Sequence, residues 1–93
     1  MLKVNEYFDG AVKSIGFQSE TYPATVGVMK KGDYEFGTNQ PEAMTVISGS
    51  LLVQLPGEKD FKKYNANETF HVPGNVKFKV KAESAAAYLC LYQ

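Results

Sequence analysis

The sequence predicts an all-β, single-domain fold, with residues 1–93 forming about nine short strands in a barrel or two-sheet sandwich. Three observations predict it. Val76, Phe78 and Val80 alternate with Lys77, Lys79 and Lys81, which is the period of a half-buried strand. Turn residues recur at short intervals, at Gly49-Ser50, Pro56-Gly57, Asn65 to Glu68 and Pro73-Gly74. No helical repeat, linker or low-complexity segment interrupts the pattern.

Taken in order, residues 1–10 suggest a helical turn. Val12, Ile15 and Phe17 mark a first strand. Val26 and Val28 mark a second, after the breaker Pro23. Tyr34 and Phe36 share one face of a third. In a fourth, Met44 and Val46 form one face, Thr45 and Ile47 the other. Gly49-Ser50 turns the chain into Leu51 to Leu55, which Pro56-Gly57 ends. Phe61 to Tyr64 is a short strand after a charged loop. Asn65 to Glu68 is a turn, since asparagine tolerates positive φ. Phe70 and Val72 precede Pro73-Gly74, and Ala86 to Tyr92 is the last strand.

Composition excludes several functions. The chain carries ten acidic and ten basic residues and no net charge, so it lacks the electrostatic excess that nucleic-acid binding requires. All ten basic residues are lysines. An anion bound here must therefore use lysine, hydroxyls, amides or backbone N–H groups, without the planar arginine fork. Cys90 is the single cysteine, which forbids an intrachain disulfide and suits a reducing compartment. Residues 1–6 contain no apolar signal core, and no apolar run reaches membrane-spanning length. The expectation is a cytoplasmic protein with no membrane partner. A chain this short leaves much surface exposed, and a homodimer would cover part of it.

Two glycine-bounded segments resemble the two halves of a cupin barrel. The first runs from Gly32 to Gly49 and the second from Asn67 to Phe78. Six residues separate Glu42 from Gly49, as in the first cupin motif, and five separate Asn67 from Pro73, as in the second. Cupins commonly place two histidines and a glutamate in the first half and a third histidine in the second. Here only Glu42 remains. The paired histidine positions hold Phe36 and Thr38 or, in the other register, Glu35 and Gly37, and the third holds Phe78. A first-row metal wants several imidazole or carboxylate ligands converging. The resemblance thus implies a cupin fold without its metal.

Nearly the whole chain is similar to a narrower family. Asn5-Glu6-Tyr7-Phe8, Val12 to Phe17, Val26 to Met29, Met44 to Gly49, Val72-Pro73-Gly74 and Tyr88-Leu89-Cys90 resemble the small pyrimidine/purine nucleoside phosphorylases of cupin fold. That resemblance implies phosphorolysis of several ribonucleosides to free base and ribose 1-phosphate. It also implies no metal or other cofactor, with inorganic phosphate as co-substrate. It carries no catalytic residue onto this chain, so the site is read from the residues.

Glu42 is the candidate catalytic residue. It should share a face with Met44 and Val46 and so point to the barrel mouth. A carboxylate against an apolar wall can hold ribose hydroxyls, or keep its proton and give it to a departing base. The other reading is a structural hydrogen-bond partner, or a solvated loop residue after Pro41. Tyr34, Phe36, Phe70, Phe78, Tyr88 and Tyr92 either line a cavity or simply pack. Aromatic walls suit a varied nucleobase, because every base has a π-face. Tyr34 and Tyr88 stand out, since their hydroxyls want polar partners. Thr38, Asn39 and Gln40 either offer phosphate neutral donors or form an ordinary turn. The substrate-binding set is Tyr34, Phe36, Thr38, Gln40, Met44, Phe78 and Tyr88. His71 faces away if Phe70 and Val72 face in, which makes it a surface or interface residue. Cys90 reads as a buried inert thiol, and the three alternating lysines as a solvated face that discourages edge pairing. Two other classes remain: a non-catalytic binding module using the same cavity, and a metal-dependent cupin enzyme with unusual ligands.

Overall fold

In the computed structural model, which describes residues 2–93, the alternating segments form ten strands in two sheets, every pairing antiparallel. They are β1 (Lys3–Tyr7), β2 (Val12–Gln18), β3 (Pro23–Met29), β4 (Gly32–Gly37), β5 (Glu42–Ser48), β6 (Ser50–Gln54), β7 (Lys62–Asn65), β8 (Thr69–Val72), β9 (Lys77–Ala82) and β10 (Ala86–Tyr92). One sheet has the order β1-β2-β3-β10-β5-β8, the other β4-β9-β6-β7. This is the two-sheet jelly-roll form of the fold, without continuous closure into one barrel. No helix occurs among the described residues.

Alternation becomes burial where the sequence is most regular. On β9, Phe78, Val80 and Ala82 are buried while Lys77, Lys79 and Lys81 are exposed. Both partners of Val80, Tyr34 on β4 and Val53 on β6, are buried too. From the six-stranded sheet, Val12, Met29, Val46 and Val72 complete the core between the layers. Asn67, at φ 72°, makes the turn its side chain was expected to tolerate.

Three expectations need correction. The described part of the helical turn over residues 1–10 is a strand, β1, followed by a turn; Met1 lies outside the described residues. Val4 is its sole small apolar residue, and almost nothing in β1 is buried. Pairing with β2 makes it a strand, and an edge strand held by backbone hydrogen bonds leaves little periodicity to read. The strands therefore number ten. Ser50 belongs to β6, with Gly49 alone at positive φ. In β3, Val26 and Val28 face outward, and Thr25, Gly27 and Met29 face the interior.

The outward valines of β3 extend a row. Val4, Ile15, Val26 and Leu89 stand directly across from one another on β1, β2, β3 and β10. Val4 is 68% exposed, Ile15 44% and Val26 41%. An apolar row crossing four strands is a surface with nothing on it to keep it wet.

Candidate functional site

The inner faces of the two sheets do not fill the space between them. They leave a cavity of about 470 Å³ whose two walls differ in chemistry. The six-stranded sheet supplies Ser14 from β2, Glu42 and Met44 from β5, and Tyr88, Cys90 and Tyr92 from β10. The four-stranded sheet supplies Phe36 from β4 and Phe78 from β9, with Glu35 and Gly37 beside them. Exposed Tyr7, Phe8, Asn39 and Gln40 form the rim.

Register explains how the polar wall is assembled. On β10 the side chains of Tyr88, Cys90 and Tyr92 point the same way, two residues apart. Across the ladder they face Val46, Met44 and Glu42 of β5. Glu42 thus lies where its strand periodicity puts it, on the same face as Met44. On the other side Tyr88 pairs with Gly27, which pairs with Ser14. The ring lies flat over Gly27: a Cβ there would stand 2.4 Å from Tyr88 Cζ.

Burial shifts the acids of this wall toward their neutral forms. Burial raises the Glu42 pKa above its ordinary value, and the Cys90 thiol offsets this in part by donating a hydrogen bond to Oε1 at 3.4 Å. Burial pushes the Tyr88 phenol up to about 12, with the Ser14 hydroxyl opposing the shift. Burial raises the Cys90 thiol too, and the charge of Glu42 raises it further. Tyr92 is raised by burial and held by a 3.0 Å hydrogen bond between its hydroxyl and Thr25 Oγ1. Four acids in one wall favour their neutral forms, and no lysine lines the cavity. The wall can donate hydrogen bonds without fixed positive charge, and Glu42 is the acid in it most ready to release a proton.

The opposite wall is aromatic. Phe36 and Phe78 lie 5.8 Å apart, centroid to centroid, and Phe8 meets Phe36 edge-on at 5.5 Å. Flat apolar rings face a row of O–H and S–H donors.

Of the expected site residues, Glu42, Phe36, Gln40, Met44, Phe78 and Tyr88 line this cavity, and Asn39 joins them. Tyr34 and Thr38 do not. Tyr34 is buried, and its hydroxyl donates to the Lys30 carbonyl at 2.6 Å. It stands behind Phe8, with ring centroids 5.0 Å apart. Thr38 is buried in a staple between loops, donating to the Pro73 carbonyl at 2.7 Å and accepting from the Val76 N–H at 3.2 Å. It holds the segment that presents Asn39 and Gln40. His71 is exposed on β8, away from the cavity.

Sequence reasoning missed Tyr7, Phe8, Ser14 and Glu35, and took Cys90 only as an inert thiol. Cys90 was within reach, because it alternates with Tyr88 and Tyr92. Ser14 shares a face with Val12, a weak signal. Tyr7 and Phe8 follow a strand that periodicity does not reveal. No three histidine, cysteine, aspartate or glutamate side chains converge as a metal site among the described residues.

Comparison with known proteins supplies the remaining observation. Residues 2–92 match the family described as pyrimidine/purine nucleoside phosphorylase. A protein of that name from Magnetococcus marinus is 64% identical over 92 residues, covering 99% of each chain. One of the same name from Cellvibrio japonicus is 60% identical over 93 residues, the whole of both chains. The crystal structure of a protein of unknown function from Vibrio parahaemolyticus superposes with a TM-score of 0.96 at 46% identity, covering 100% of this chain and 99% of that one. An RmlC-like cupin from Shewanella frigidimarina shares the fold, with a TM-score of 0.76 at 18% identity over 98% of this chain and 82% of its own.

Proposed function

This chain belongs to the pyrimidine/purine nucleoside phosphorylase family, and we propose that it splits purine and pyrimidine ribonucleosides with phosphate into free base and ribose 1-phosphate. The observation that carries this reading is the cavity with two unlike walls. A nucleoside has a flat apolar base and a hydroxyl-rich sugar. Phe36 and Phe78 suit the first, and Ser14, Glu42 and Tyr88 suit the second.

In the proposed reaction a phosphate oxygen attacks the anomeric carbon as the bond to the base nitrogen breaks. The electron pair of that bond leaves with the base. Protonated Glu42 gives the base its proton, and burial favours the form that can do so. Phosphate is held at the rim by neutral donors, the Asn39 and Gln40 amides. A protonated Glu42 adds no charge of its own against the incoming anion. The proposed reaction uses no metal: a thiol, two phenols and one other cavity carboxylate, Glu35, give Glu42 no converging set of imidazole or carboxylate ligands.

We also propose a two-fold homodimer, supported by the exposed row of Val4, Ile15 and Val26, and a cytoplasmic location, supported by the free buried Cys90. No helix among the described residues is long and apolar enough to cross a membrane.

The test is incubation of purified protein with a mixture of ribonucleosides, with and without phosphate. Phosphorolysis releases free base and ribose 1-phosphate only when phosphate is present. Base release that ignores phosphate indicates a hydrolase, and binding without release indicates a non-catalytic module.

A further inference from the structure

β1 ends in a turn of the wrong hand for ordinary residues. Phe8, Asp9 and Gly10 have φ of 54°, 56° and 84°. The Gly10 N–H donates to the Tyr7 carbonyl and the Ala11 N–H to the Phe8 carbonyl, both at 3.1 Å. Two left-handed turns therefore overlap. Such turns favour glycine, asparagine and aspartate, because a Cβ crowds the neighbouring carbonyl in this region. Aspartate and glycine meet that preference. Phenylalanine does not, and a bulky aromatic residue at positive φ is an outlier that asks for a reason.

The destination of the ring supplies one. The left-handed turn swings Phe8 off the end of β1 and across to the other sheet. There it rests against Tyr34 at 5.0 Å and stands edge-on to Phe36 at 5.5 Å. It stays 46% exposed and lines the cavity. From it the aromatic series runs inward through Phe36 and Phe78 to Phe70, in steps of 5.5, 5.8 and 6.4 Å. The hairpin joining β1 to β2 favours positive φ, and within it the Phe8 ring keeps an open side toward the cavity, where a ligand can lie against it.

We infer that Phe8 is the stacking residue for the nucleobase at the cavity rim, and that the left-handed turn exists to hold it there. The inference rests on the nucleoside reading of the cavity. Tyr34, buried and tied to the Lys30 carbonyl, is the backstop that fixes the angle of the Phe8 ring. The contact is with the base face and not with its hydrogen-bonding edge, so purines and pyrimidines share it.

Equilibrium calorimetry without phosphate tests this on inosine, uridine and ribose 1-phosphate. Phe8→Asn removes the ring and keeps a residue that accepts positive φ. Phe8→Leu keeps apolar bulk against Tyr34 and Phe36 without a π-face, and guards against a failure of the first variant to fold. Both variants should bind inosine and uridine about 10- to 100-fold more weakly, the range for loss of one base–aromatic stack. Both should bind ribose 1-phosphate, which has no base, as the wild type does. Phe8→Tyr should restore nucleoside binding. Unchanged nucleoside affinity in Phe8→Asn or Phe8→Leu overturns the inference, as does an equal loss for ribose 1-phosphate. If wild-type protein binds no nucleoside at all, the proposed function fails and this inference fails with it.

Discussion

The Cys90 thiol donates a hydrogen bond to Glu42 Oε1 at 3.4 Å, joining β10 to β5 inside the cavity wall. The donor is itself held protonated by burial, so it cannot take the carboxyl's proton. Glu42 is the carboxyl acid of this wall, its pKa raised from 4.5 by burial and lowered in part by the Cys90 hydrogen bond.

Glu42→Gln keeps shape and hydrogen bonding but cannot supply the proton. Nucleoside affinity should change little, while kcat falls by roughly 100-fold, the scale of lost general acid catalysis. Glu42→Ala should impair both. Steady-state kinetics on inosine, with a thermal melt as folding control, decide the matter. A Gln variant with normal kcat leaves Glu42 a structural residue.

The same residue gives a pH signature. Its folded pKa lies above its unfolded one, so the native state binds the extra proton and stability declines as pH rises between the two values. This contribution is whole below about 4.5, the ordinary pKa, and is lost as pH passes the raised value. Wild-type melting temperature should therefore fall relative to Glu42→Gln as pH rises through that window. The kcat of the wild type should fall over the same rise. Parallel melting curves at every pH count against a buried, proton-holding Glu42.

Gly27 is bare because Tyr88 occupies its Cβ space. Gly27→Ala should displace the ring and cost about 1–3 kcal/mol, the usual range for overpacking. In Gly27→Ala/Tyr88→Ala the clash has no partner, so the two losses should combine to less than their sum. Denaturant melts of the four proteins measure the coupling. Simple additivity refutes the contact.

The exposed row on the outer sheet face should be a two-fold interface. Light scattering at low micromolar concentration should give twice the chain mass, and Val26→Asp, which sets a charge in the middle of the row, should give a monomer. A wild-type monomer overturns the dimer.

Activity should survive exhaustive chelation. Loss of activity that one divalent ion restores would revive a metal-dependent reading and require ligands beyond Glu42.

β9, with regular alternation and a single wet face, was legible in the sequence, because periodicity reports burial and this strand is buried on one side. β1 was hidden because its order comes from pairing and not from burial. The inward face of β3 was not legible, since the sequence cannot say that valines cover the outside while Gly27 makes room for a tyrosine. Glu42, Met44, Phe36 and Phe78 could be placed from period-two reasoning alone. Tyr34 could not be separated from them, because it shares a face with Phe36. What sets it apart is a contact with the Phe8 ring, from a segment more than 20 residues away, and a hydroxyl bonded to the Lys30 carbonyl.

β10 lies between β3 and β5, the middle of the larger sheet, although it is the last of the ten strands in chain order. On the ribosome, β3 and β5 are made well before the strand that joins them. Until it arrives, the sheet exists as two unconnected pieces, β1-β2-β3 and β5-β8, each with an open inner edge. Tyr88, Cys90 and Tyr92 arrive with it, so the polar wall and the sheet are completed in one step. The protein should gain its fold and its site together, after synthesis has passed residue 92 and not gradually during it.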